Sequence, residues 1–132
     1  MPAFCLDSLA ILTFRDDEPG AEDIAMLLEG PDPCFACFST RMEVLCRVWK
    51  DEKERRGGLA DEQLQSLPIQ WVDQAEGLLL EASRIKALQR LSATDAWIAA
   101  AARLSRAALL HKDPEFEAIT ALDQSWLACL AT

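Results

Sequence analysis

Apolar positions along this chain follow two rhythms. Short continuous apolar runs occur at Ala3–Leu6, Cys34–Phe38, Ala107–Leu110 and Trp126–Leu130, and the short segment Ile69–Val72 is apolar apart from Gln70. Segments this short predict buried strands. Between them the apolar residues recur at helical spacing. Ser8–Phe14 begins a helical turn that Arg15-Asp16-Asp17-Glu18-Pro19-Gly20 breaks. Ala21–Glu29 carries Ile24, Leu27 and Leu28 on one face and is stopped by Gly30-Pro31-Asp32-Pro33.

Thr40–Arg56 predicts a longer helix with Met42, Leu45, Cys46 and Trp49 as its apolar stripe, a solvated end at Asp51–Arg56, and Gly57-Gly58 as its terminator. Ala60–Leu67 predicts a short helix ended by Pro68. Asp73–Leu91 places Ala75, Leu78, Leu79, Ala82, Ile85, Leu88 and Leu91 on a helical face. Thr94–Arg106 does the same with Trp97, Ile98, Ala101, Ala102 and Leu104, and Pro114–Ile119 predicts a brief helix.

Strands that alternate with helices imply crossover connections and a mostly parallel sheet covered on both faces, an α/β fold. The 132 residues fit one domain, 1–132, with no internal repeat or linker. Hydrophobic residues make up 51% of the chain, which excludes a disordered segment. No apolar stretch approaches the roughly 20 residues that span a bilayer. The N-terminus has no basic start or cleavage site, so a cytoplasmic protein is expected. Five cysteines, an odd number, agree with reduced thiols. Cys34 and Cys37 have CxxC spacing, but with no second pair and an intervening strand pattern they read as strand residues.

Four acids stand where elements begin or end. Asp7 closes the first apolar run, Glu43 opens the helix after the second, Asp95 lies on the apolar face of an Ala-rich helix, and Asp113 follows the run Ala107–Leu110. Ligands of parallel sheets bind beyond the carboxyl ends of the strands. Carboxylates gathered there need a cation, so the pattern points to magnesium or manganese and to phosphodiester chemistry.

Each acid also has a structural reading. Asp7 suits a cap. Thr40-Arg41-Met42-Glu43 has capping-box spacing. Ser92-Ala93-Thr94-Asp95 resembles a helix start. Asp113-Pro114 is an N-cap followed by a first-turn proline. Asp95 is the hardest to explain as structure. It shares a face with Ile98, Ala99 and Ala102, has no Lys or Arg at i+3 or i+4, and a buried unpaired carboxylate is costly.

Phosphate-loop, dinucleotide and nucleophile-elbow motifs are absent. With a single histidine, a histidine-based triad is not expected. The net charge of −9 is a poor footprint for binding through phosphates and favours a partner that brings positive charge. Arg84, Lys86, Arg90, Arg103 and Arg106 are scattered among acids and form no basic stripe.

Five segments, in order, resemble the PIN domain, and more narrowly the VapC-type toxin of bacterial toxin–antitoxin pairs. They are Phe4-Cys5-Leu6-Asp7-Ser8, Arg15–Glu22, Ser39-Thr40-Arg41-Met42-Glu43-Val44, Ala93–Ala100 and Lys112–Phe116. The resemblance implies a three-layer α/β/α sandwich around a mostly parallel sheet of about five strands. It implies a metal-dependent endoribonuclease with Mg²⁺ or Mn²⁺ held by Asp7, Glu43, Asp95 and Asp113, with Ser8 in support. It also implies an RNA substrate, a cognate antitoxin and a homodimer. His111-Lys112 departs from the Thr-rich approach usual before the last acid. Two other readings stay open. One is a receiver-like signalling domain phosphorylated on Asp73, with Lys112 as its lysine. The other is a PIN-like interaction module without catalysis.

Overall fold

The computed structural model describes residues 2–111 and 124–126, with backbone alone at 54–55 and 124–126. The element order is β1 (Phe4–Leu6), α1 (Ser8–Arg15), α2 (Ala21–Glu29), β2 (Cys34–Cys37), α3 (Phe38–Glu52), α4 (Glu54–Ser66), β3 (Gln70–Val72), α5 (Glu76–Leu88), α6 (Ala93–Leu104), β4 (Ala108–His111) and β5 (Gln124–Trp126). The strands pair in the order β3-β2-β1-β4-β5, and every pairing is parallel. The expected helix at Pro114–Ile119 and residues 127–130 of the last expected strand lie outside the described residues.

Side-chain alternation along the strands splits the core in two. Cys5, Cys37 and Leu109 face a cluster built with Leu78, Ala82 and Ile85 of α5 and Ile98–Ala102 of α6. Leu6, Cys34, Ala36 and Leu110 face a second cluster with Ile11, Ile24, Val44 and Leu64 from α1 to α4. The sheet is therefore covered on both faces, as a three-layer α/β/α sandwich. In α6 the run Ala99–Ala102 is fully buried, and the helix lies against β1, β2 and β4. Side chains of one carbon let its backbone approach the sheet closely.

Two expectations for the third helix are corrected. Its buried face is Ser39, Thr40, Val44 and Val48. The Met42, Leu45, Cys46 and Trp49 stripe instead lines an outward groove of about 590 Å³ with Phe38, Arg41 and Lys50. Thr40, Val44 and Val48 recur every four residues, and compact β-branched side chains pack the helix near its neighbours where the larger stripe would not fit. The second correction concerns the terminator. Gly57 and Gly58 lie inside α4, and the chain breaks earlier, at Lys53, whose φ is 81°. Gly57 is buried with the Trp49 indole packed where a Cβ would stand, so contact, not termination, explains its lack of a side chain.

Candidate functional site

Asp7 follows β1 directly, and its amide donates to the Leu110 carbonyl of β4 (3.3 Å). The chain runs outward from β1 through β2 to β3 and then returns to the other side of β1 for β4. Asp7 therefore stands where the strand order reverses, the place at which parallel sheets open a crevice. It is 4% exposed and caps α1, with the Ala10 amide donating to its Oδ1 (2.7 Å). The capping role read in the sequence is real, and a carboxylate has acceptor capacity for more than one role.

Glu43 lies in the second turn of α3, not at its start. The helix begins after Cys37, and Thr40 is buried inside it with no hydrogen bond to its hydroxyl among the described residues. The capping-box reading of Thr40 and Glu43 is thus replaced. The Glu43 carboxylate instead accepts a short hydrogen bond from the Ser8 hydroxyl at the start of α1.

Asp95 is the third residue of α6, and its amide donates to Oγ of the cap residue Ser92 (3.1 Å). It is half-buried, less enclosed than the apolar periodicity suggested, because its own helix start opens into a cavity. Phe38 of α3 meets Trp97 of α6 edge-on, with ring centroids 5.1 Å apart, which couples the two helices that carry Glu43 and Asp95.

Asp7, Ser8, Glu43, Arg47, Ser92 and Asp95 line one polar cavity of about 330 Å³. Three acids distant in sequence, from β1, α3 and α6, are brought together. Asp113, with Lys112, lies outside the described residues. Hard oxygen donors of this kind fit a hard divalent cation. Among the described residues, however, no three His, Cys, Asp or Glu side chains stand close enough to hold a metal ion. Arg47 was not singled out in the sequence, and Ser92 was read there only as part of a helix start. The spacing of Arg47 four residues after Glu43 is the signal that could have found it.

The remaining candidates separate from this cavity. Asp73 is exposed after the edge strand β3, with β2 between that strand and β1. Cys34 and Cys37 belong to opposite faces of the sheet, so the CxxC pair cannot converge on one ion. Burial, then the neighbouring Cys37 and Asp7, pushes the Cys5 thiol far up, and burial raises Cys34 and Cys37 as well. His111 ends β4 fully buried. No helix among the described residues is long and apolar enough to cross a membrane.

The model of the PIN domain family matches residues 4–122. A search by sequence among curated proteins returns no match. Solved structures with the same fold include DNA-bound VapBC from Salmonella typhimurium, with a TM-score of 0.78, 19% identity, and coverage of 96% of this chain and 99% of that one. VapBC-1 from nontypeable Haemophilus influenzae gives 0.76, 20% identity, and coverage of 96% and 98%. VapC20 of Mycobacterium tuberculosis, a toxin that cleaves the sarcin-ricin loop, gives 0.71, 13% identity, and coverage of 89% and 95%. At these identities the likeness establishes the fold.

Proposed function

We propose that this chain, which belongs to the PIN domain family, is a metal-dependent endoribonuclease acting as the toxin of a toxin–antitoxin pair in the cytoplasm. The observation that carries the reading is the shared cavity of Asp7, Glu43 and Asp95 at the carboxyl end of β1. Asp7 and Asp95 would hold Mg²⁺ or Mn²⁺, with Asp113 completing the set. Such an ion supplies Lewis acidity toward a phosphodiester when bound.

The side chains of the cavity divide the remaining work. Glu43, held by the Ser8 hydroxyl, orients the attacking water and accepts its proton. Asp7 is fixed by its own capping bond, so its carboxylate is positioned before any ligand arrives. The buried apolar layers behind β1 and α6 keep that geometry rigid.

A solved structure of the same fold from Klebsiella pneumoniae is a toxin–antitoxin complex by name, and a cognate antitoxin with a basic segment is the partner that the net charge of −9 would favour. A homodimer of the chain belongs to the same reading. The deciding experiment is calorimetric titration of Mn²⁺ together with RNA cleavage, for the wild type and for Asp7→Asn and Asp95→Asn. Binding and cleavage in the wild type, both lost in the two variants, are expected. Cleavage by purified Asp7→Asn at the wild-type rate would overturn the assignment. Metal binding without cleavage by the wild type would make the chain an interaction module.

A further inference from the structure

The cavity of three acids contains one cation among its described lining residues, Arg47. It projects from α3 one turn after Glu43 and is exposed at the cavity's edge. A Glu followed four residues later by Arg is the favoured helical spacing for an ion pair. That pair is not formed, and the Glu43 carboxylate instead accepts the Ser8 hydroxyl. No hydrogen bond or ion pair of Arg47 exists among the described residues. Nearby guanidiniums are committed: Arg41 to Asp61, Arg15 to Asp16 and Glu52.

We infer that Arg47 is the residue that takes the RNA phosphate at this cavity, its guanidinium donating to the non-bridging oxygens of the phosphodiester presented to the acids. The inference rests on the ribonuclease reading and adds to it a substrate-binding residue. It answers a difficulty that the chain itself poses. A protein of net charge −9 must bring a polyanion against a cluster of carboxylates, and the approach is repulsive unless a cation stands at the point of contact. Arginine suits the task because its planar fork donates two parallel hydrogen bonds to a phosphate and stays charged at any working pH. Its place on α3 fixes the contact relative to Glu43, so a phosphate held there lies within the cavity in which Glu43 orients water.

The test measures RNA binding and metal binding separately. Fluorescence anisotropy of a labelled single-stranded RNA pool of random sequence is followed over a range of salt concentrations, in an Asp7→Asn background that keeps the RNA intact. Adding Arg47→Ala should weaken binding about tenfold, the size of one charge-assisted contact. It should also make the dependence of log affinity on log salt shallower by about 0.7, the release expected for one phosphate contact on a single strand. Arg47→Lys should restore the slope and part of the affinity. Lys86→Gln, an exposed cation on α5 away from the cavity, should change neither.

Titration of Mn²⁺ into Arg47→Ala on the otherwise wild-type chain should show affinity undiminished, since a positive charge beside the carboxylates has been removed. Loss of Mn²⁺ binding together with RNA binding would mean that Arg47 only supports the fold, and would overturn the inference. Unchanged RNA affinity and slope would overturn it as well. An uncleaved RNA with wild-type protein and Mn²⁺ would instead remove the ribonuclease reading, while the anisotropy would still decide the role of Arg47.

Discussion

The Ser8 hydroxyl donates to the Glu43 carboxylate across 35 positions of sequence, tying the first residue of α1 to the second turn of α3. The bond fixes the orientation of an acid whose side chain otherwise turns about three torsions. Ser8→Ala should cost about 1.5–3 kcal/mol of stability, the range for a hydrogen bond to a charged group. Cleavage should fall more than Mn²⁺ affinity does, because Glu43 loses its orientation while the ligands remain. Urea denaturation and single-turnover cleavage measure the two effects; equal activity in Ser8→Ala would show that the bond is only structural.

Asp7 has two roles that substitution can separate. Asparagine caps a helix about as well as aspartate, whereas alanine forfeits roughly 1 kcal/mol. Asp7→Asn should therefore unfold near the wild-type midpoint, and Asp7→Ala should be weaker by about that amount, with both inactive toward RNA. Thermal melts of the three proteins would expose a purely capping Asp7 if Asp7→Asn kept full cleavage.

Gly57 and Gly58 are adjacent in α4 and should respond in opposite ways. A Cβ at Gly58 meets nothing within 4 Å, so Gly58→Ala should stabilise the helix by about 0.5–1 kcal/mol. A Cβ at Gly57 would fall 1.5 Å from the Trp49 indole nitrogen, so Gly57→Ala must expel the ring. Tryptophan emission should shift to the red in Gly57→Ala and stay put in Gly58→Ala.

Thiol reactivity should follow burial. Cys5, Cys34 and Cys37 are buried and their thiols are held above the ordinary range, while Cys46 is exposed on α3. Peptide mapping after brief iodoacetamide treatment at mildly alkaline pH should find Cys46 alkylated well ahead of those three. Equal labelling of Cys5 would mean that β1 opens readily.

Arg41 grips Asp61 with two hydrogen bonds of 2.6 and 2.7 Å, joining α3 to α4. Those bonds hold the Asp61 carboxyl below its usual range. A carboxylate depressed in the folded state adds stability above its unfolded value of about 4, and that stability disappears as the pH falls through the lower folded value. For a bridge this open to solvent the amount is about 0.5–1 kcal/mol. Between neutral and strongly acidic pH, the wild type should lose that much more stability in urea than Asp61→Asn; identical acid profiles would show the bridge to be energetically silent.

Much of this architecture was legible because short apolar runs and helical periodicity report burial directly. The strand cores at Cys5-Leu6, Cys34–Cys37 and Leu109-Leu110 and the helix Ala21–Glu29 follow from it. Asp7 and Asp95 could be singled out because elements end or begin there. Periodicity failed on α3, where the bulky Met42–Trp49 stripe outweighed the smaller Thr40, Val44 and Val48 that the core takes up. It failed again at Lys53, since a positive φ at a lysine is imposed by tertiary contacts and leaves no local signature. The Ser8 to Glu43 bond and the isolation of Arg47 depend on how α1 and α3 meet, which no single segment encodes.

The buried alanines of α6 set a dimension as well as a packing. Asp95 begins the same rigid helix, one turn before Ala99, so the height of that helix above the strands also fixes how far Asp95 stands from Asp7. A larger side chain where this run meets the strands would lift the helix and widen the gap between the two carboxylates. The calibre of the cleft is thus set by alanine methyl groups that do not line it.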